Sequence, residues 1–195
     1  MYSNNSYGES KKEPVDVSRN NCVFDTKDFY PIPPYAVERL LEVETFKGLT
    51  WESVCANGAI PKVLERTNYE AFGTNIIDGG YDRFDKQIDF PNTNLLAPVN
   101  NIITNPPYKH VEEFIQRSKQ HAIDKIAMLL KTECENECQY EMFQDNGFPL
   151  KAIYSFGEKV SFLRISNTEC ISGTMAYGWY VWDRHYSGKT NKYIL

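Results

Sequence analysis

The stretch Val99-Asn100-Asn101-Ile102-Ile103-Thr104-Asn105-Pro106-Pro107-Tyr108 constrains this chain more than any other. The run from Val99 to Thr104 reads as a buried strand, and it meets two prolines in succession. Neither proline nitrogen can donate to a sheet ladder, so the strand ends there and the backbone beyond it is stiff. The loop that follows carries one amide, Asn105, one ring, Tyr108, and bare carbonyls. The Asn105 side-chain oxygen and the Pro106 carbonyl can each accept a hydrogen from an exocyclic amine, while Tyr108 stacks on the attached ring. Such a loop suits a planar, amine-bearing group; an Asx-type turn with a packed ring is the plainer alternative.

Around this loop, strand and helix patterns alternate. Residues 1–21 are rich in Asn, Ser and Lys and read as a flexible tail, leaving residues 22–195 as one domain. Asp28 to Pro34 is proline-stiffened and leads into a helix with Ala36, Val37, Leu40 and Leu41 at helical spacing. Leu49 to Val54 reads as a strand, followed by a turn at Asn57-Gly58 and a helix from Ile60 to Glu65. Small residues at such a turn let backbone N–H groups approach a ligand closely. Glu70 to Asn75 is the next strand, and residues 79–97 read as a polar, irregular connection. Val111, Phe114, Ile115 and Ala122 outline an amphipathic helix, and Lys125 to Leu130 is apolar enough to be covered on both faces. Ile153–Phe156, Val160–Ile165 and Thr174–Trp182 read as further strands.

The chain has 195 residues and a formal charge of −5, which argues against a general nucleic-acid binder. Residues 151–195 nevertheless hold six Lys/Arg against three acids, a net of +3, so the remainder carries −8. A basic segment of that kind either meets phosphates or is a solvated edge hairpin. Glu133, Glu135 and Glu137 follow the Lys125–Leu130 strand, as an acidic rim near Asn105 or as helix-N-terminal acids. Five irregularly spaced cysteines read as free thiols of a reducing cytoplasm, with no metal set. No apolar run has the length of a membrane span, and the polar N-terminus is no signal peptide.

The Asn105-Pro106-Pro107-Tyr108 motif resembles that of S-adenosylmethionine-dependent amino-methyltransferases. With Asp28–Pro34, Trp51-Glu52 to Ile60, Gly73–Ile76 and Ser172–Asp183 in the same order, the chain resembles the small phage-type DNA adenine-N6 methyltransferases over residues 28 to 187. The resemblance implies an α/β, Rossmann-like methyltransferase fold: a mostly parallel seven-stranded-type sheet with a C-terminal antiparallel hairpin. It implies Asn105, Pro106, Pro107 and Tyr108 as the catalytic set. Tyr30, Pro31, Ile32, Glu52, Cys55, Ala56, Gly58, Asn75, Ile76, Asp89 and Phe90 would line the S-adenosylmethionine site.

Three of those positions depart from the family pattern: Ile32 stands for threonine, Ala56 for glycine and Asn75 for aspartate. An alanine forced to positive φ costs about 1 kcal/mol. An amide in place of a ribose-gripping carboxylate loses roughly 1–3 kcal/mol; Asp78 is either its substitute or a turn carboxylate. Three readings follow. The first is a DNA adenine methyltransferase, in places weakened toward its cofactor. The second is a degenerate fold binding a protein or nucleic acid, and the third an amino-methyltransferase for RNA or a glutamine side chain. The family's origin in phages and mobile elements implies a host-cytoplasmic, DNA-bound, membrane-free protein.

Overall fold

The computed structural model describes residues 32–78, 80–81, 84–93, 98–132, 147–157, 162–163, 170–171 and 176–195. The tail, Tyr30, Pro31, the acidic run from Glu133 to Glu137 and Ser172–Met175 lie outside the described residues. Pro34 begins the first helix, α1 (Pro34–Val43), at a position where a missing N–H leaves nothing unpaired. The chain continues through β1 (Thr50–Glu52), α2 (Ala59–Arg66), β2 (Ala71–Asn75), β3 (Phe84–Gln87) and β4 (Val99–Thr104). Then come α3 (Val111–His121), β5 (Ala122–Lys131), β6 (Leu150–Ser155), β7 (Phe162–Leu163), β8 (Cys170–Ile171), β9 (Tyr177–Asp183) and β10 (Asn191–Ile194).

Eight of these strands form one sheet in the order β10-β6-β9-β5-β4-β1-β2-β3, and β7 pairs with β8 apart from it. The ladders from β3 to β5 are parallel, and β9 runs antiparallel between β5 and β6. This is the mostly parallel α/β sheet with an antiparallel closure that the sequence implied. Alternation along β5 feeds two cores: Ala127 and Leu129 face α1 and α2, while Ile126, Met128 and Leu130 face α3. In β9, Tyr177, Trp179 and Val181 join the first core, and Tyr180 and Trp182 the second.

Three expectations need correction. Residues 79–97 contain a strand, β3, paired in parallel with β2. Ala122 belongs to β5, because α3 passes into the strand without a loop. The C-terminal segment adds an edge strand, β10, parallel to β6. Of its basic residues, Lys151 and Arg184 serve the fold. Arg184 donates to the carbonyls of Lys119, Ala122 and Ile123, and its guanidinium lies 4.5 Å from the Phe148 ring centroid.

Lys151 belongs to a buried ion cluster on the amino-terminal side of β5 and β6. Glu44, 2% exposed, meets Lys125 at 2.6 Å and Lys151 at 2.7 Å, and accepts from the Tyr154 hydroxyl at 2.8 Å. Burial pushes the Glu44 carboxyl up, but the hydrogen bonds from Lys125, Lys151 and Tyr154 outweigh it and hold its pKa below the ordinary value. The cluster joins the chain just past α1 to two strands.

Candidate active site

In an open α/β sheet, ligands gather at the carboxyl ends of the strands, where the connections diverge. Here β1 and β4 are neighbours, with β2 and β3 to one side and β5 to the other, so the divergence lies between β1 and β4. The last residues of both strands meet there. The Thr104 hydroxyl donates to Glu52 Oε1 at 2.6 Å, the Val54 N–H donates to the same oxygen at 2.9 Å, and the Ser53 hydroxyl donates to Thr104 Oγ1 at 3.3 Å. Glu52 Oε2 is buried with no hydrogen-bond partner among the described residues. Burial therefore dominates and pushes the Glu52 carboxyl up to about 8, against weaker downward pulls from Thr104 and Val54. At neutral pH this group is mostly protonated.

Asn105 follows Thr104 directly, so the crossing of β1 and β4 also fixes the catalytic candidates. Pro106 is buried, and Asn105, Pro107 and Tyr108 are half-buried at the sheet's carboxyl edge. Pro107 accepts from the His110 N–H at 2.9 Å, closing a 3-10 turn over Tyr108–His110 that feeds α3. Tyr108 packs against both cores, with its ring centroid 5.9 Å from that of Tyr177 and 4.9 Å from Lys131 Nζ.

The residues assigned to the cofactor divide into two groups. Asn75, Ile76, Asp89 and Phe90 line a notch of about 10 Å³ with Val54 and Phe114. That is about one water's worth of space, so a ring or ribose would rest on the notch rather than enter it. Asp89 Oδ1 is buried there with no hydrogen-bond partner among the described residues, while Oδ2 accepts from Asn92. Asn75 Oδ1 accepts the N–H of Ile76. The Phe90 ring is buried at the back of the notch, 5.0 Å from Trp51 and 5.1 Å from Phe114 by centroid. Outside the notch, the turn Phe90–Asn92 and α3 enclose a polar groove of about 340 Å³ that shares Asp89 and is walled by His110, Glu113 and Arg117.

Ile32, Cys55, Ala56 and Gly58 make the second group. Ile32 is 4% exposed and packs in the core with α1 and α2, where a threonine hydroxyl would have lacked water. Cys55 is buried beside Gly73, and its N–H donates to the Thr74 carbonyl. Ala56 adopts φ +42, so the Cβ cost foreseen from the sequence is incurred. Gly58 is in the left-handed region and closely packed. Its φ is +78, and a Cβ there would lie 2.2 Å from the Tyr81 ring. The Cβ side of this glycine thus faces Tyr81, whose hydroxyl donates to Glu65 of α2. Asp78 accepts from the Gly80 N–H as a turn carboxylate.

Thr104, Ser53, Tyr81, Lys131 and Tyr177 were assigned no role from the sequence. The bonds that place Thr104 and Ser53 span about fifty residues of chain, and only a polar residue closing an apolar strand hints at them.

No family model and no curated protein matches the chain by sequence. Among solved structures, a Pyrococcus horikoshii protein assigned as an RNA methyltransferase superposes with a TM-score of 0.64 at 13% identity, covering 80% of this chain and 87% of its own. A modification subunit assigned to a type I restriction enzyme of Vibrio vulnificus gives 0.56 at 18% identity, over 88% of this chain and 48% of its own. Magnesium protoporphyrin IX methyltransferase of Synechocystis, with S-adenosylmethionine bound, gives 0.52 at 10% identity over 77% and 79%. The chain has the fold of the S-adenosylmethionine-dependent methyltransferases. In this methyltransferase fold, Asn105–Tyr108 and the Asp89 notch occupy the carboxyl edge of the parallel strands, as the general rule for ligands in such sheets requires. Among the described residues, no helix is long and apolar enough to cross a membrane.

Proposed function

We propose that this chain transfers a methyl group from S-adenosylmethionine to the exocyclic N6 amine of adenine in DNA. The observation that carries this reading is the Thr104–Glu52 hydrogen bond. It fixes the Asn105-Pro106-Pro107-Tyr108 loop at the divergence of the sheet, beside the Asp89 notch. Two buried carboxyl oxygens, Asp89 Oδ1 and Glu52 Oε2, have no hydrogen-bond partner among the described residues. An adenosine-bearing ligand brings amine and hydroxyl donors for Asp89 Oδ1 and oxygen or ring-nitrogen acceptors for Glu52 Oε2, which carries the proton of the neutral carboxyl, so the residues fit the cofactor.

When bound, S-adenosylmethionine supplies a methyl group on a positively charged sulfur. The work of the chain is to prepare the amine, whose lone pair is delocalised into its ring. Asn105 Oδ1 and the Pro106 carbonyl accept its two hydrogens, which turns the lone pair out of conjugation and holds it in one orientation. Tyr108 supports the ring from one face, which in duplex DNA requires the base to be flipped out. No nucleophilic side chain enters this scheme. Asn105→Ala should lower methyl transfer to adenine-containing DNA by roughly 10²–10³-fold at unchanged melting temperature, read by transfer of labelled methyl. Equal labelling by the variant would remove the motif from the chemistry; wild-type labelling of RNA in place of DNA would move the substrate.

A second reading is favoured by Ala56 at φ +42, Asn75 bonded to its own backbone neighbour, and Tyr81 against Gly58. All three make the cofactor side less hospitable. On that reading the fold is kept for binding DNA or a protein without catalysis, and a thermal shift with S-adenosylmethionine separates the two.

A further inference from the structure

Lys131 ends β5 and stands directly opposite Tyr177 of β9 in the antiparallel ladder. Residues paired in this way project from the same side of the sheet. Both side chains reach Tyr108: Lys131 Nζ lies over its ring, 4.9 Å from the centroid, and the Tyr177 ring lies 5.9 Å away. Among the described residues, no carboxylate forms an ion pair with Lys131. Its ammonium is held instead by the negative face of the Tyr108 ring, an attraction that strengthens where water is scarce.

We propose that Lys131 is a specificity-determining gate: its ammonium covers the face of Tyr108 in the free protein and moves to a nucleic-acid phosphate when a base stacks there. The inference rests on the proposed role of Tyr108 and names what selects the substrate. A ring that stacks on the covered face must displace the ammonium. Displacement into the site without a new partner would strand a cation beside apolar rings, which is unfavourable. A nucleotide within a strand brings ring and anion together, joined by one sugar, so the group that expels Lys131 also receives it. A glutamine side chain brings an amide and no anion, and a free nucleoside brings a ring and no anion. Lys131 therefore favours polynucleotide over either.

The test uses the full chain with saturating S-adenosylhomocysteine. One probe is a single-stranded oligodeoxynucleotide with one central adenine, which avoids the cost of flipping; the other is phosphate-free adenosine. Lys131→Ala should weaken oligonucleotide binding by roughly 5–10-fold at low salt and reduce the slope of log K against log salt by about 0.7. The same change should leave adenosine binding unchanged or tighten it, since no gate then needs displacing. Lys131→Arg should restore the salt slope. An unchanged slope, an equal loss for both probes, or a loss confined to S-adenosylhomocysteine affinity would each overturn the proposal. Methyl transfer by the wild type keeps this separate from the function itself. Transfer with an unchanged slope sinks the gate alone; no transfer but a reduced slope sinks the enzyme reading alone; no oligonucleotide binding sinks both.

Discussion

Glu44 and Glu52 are both buried in the same domain, and their surroundings differ in kind. At the amino-terminal side of β5 and β6, Glu44 is met by two lysines and a tyrosine hydroxyl. At the carboxyl side of β1, Glu52 receives two hydrogen bonds on one oxygen and none from the described residues on the other. Burial alone raises the pKa of both carboxyls. Partners reverse the sign for Glu44 and fail to do so for Glu52. The contrast teaches where this protein keeps its polar groups satisfied for stability and where it leaves capacity open. A fully paired buried carboxylate ties elements together, whereas a buried carboxyl with an open oxygen is a place for a ligand.

The strongest way to break this comparison is to remove Glu44. Glu44→Ala leaves Lys125 and Lys151 half-buried with the longer contacts to Asp183, at 3.6 and 3.9 Å, as their ion pairs among the described residues, and one partner lost from a buried cluster costs about 3–5 kcal/mol. Urea unfolding should show that loss. The wild-type contribution is present above the ordinary carboxylate pKa and is lost as pH falls through the depressed value in the folded protein. A loss under 1 kcal/mol would mean the cluster is decoration.

Glu52→Gln should act in the opposite direction. Because the folded pKa of about 8 lies above the ordinary value of 4.5, the folded state binds the extra proton between those two values. Stability from this group is therefore complete below pH 4.5 and declines as pH rises through 8. Glutamine keeps the neutral shape and an acceptor for Thr104, so the variant should be more stable than wild type at pH 8 by roughly 2–4 kcal/mol and lose that part of the pH dependence. Denaturant midpoints taken from pH 5 to pH 8.5 decide it. Parallel profiles for the two proteins would place water or a cation at Glu52 and erase the contrast with Glu44.

The sequence revealed the elements whose signal is local. The apolar runs of β4 and β5 and the diproline stop after Thr104 are readable one residue at a time. Edge strands are not. Phe84–Gln87 and Asn191–Ile194 carry polar residues because a strand at the margin packs on one side only, and a polar edge also resists pairing with other chains. The boundary at Ala122 is hidden in the sequence because a helical apolar position and the first residue of a buried strand look alike when no loop parts them. At the candidate site, the motif itself was legible, but its setting was not. Glu52 meets Thr104, Gly58 meets Tyr81 and Tyr108 meets Lys131 across the fold, and no spacing rule joins those pairs.

The smallest effect expected concerns the carboxyl side alone. Ala56 holds φ +42, and glycine there removes a strain of about 1 kcal/mol while opening the turn by one methyl group. Asn75 spends Oδ1 on the Ile76 N–H, and its remaining nitrogen is a donor that cannot accept from a ribose hydroxyl. Aspartate would keep the bond to Ile76 with one oxygen and offer the other as a charged acceptor. Ala56→Gly with Asn75→Asp should therefore tighten S-adenosylmethionine by roughly tenfold in titration calorimetry. The buried aspartate should also lower the stability of the ligand-free variant, because its charge is then desolvated with only one bond. Those opposite signs are the useful part, since a general loosening of the fold would lower both quantities. If affinity stays flat while stability falls, the end of β2 is core like the Glu44 side, and the division between a satisfied and an open end must be redrawn around Glu52 and Asn105 alone.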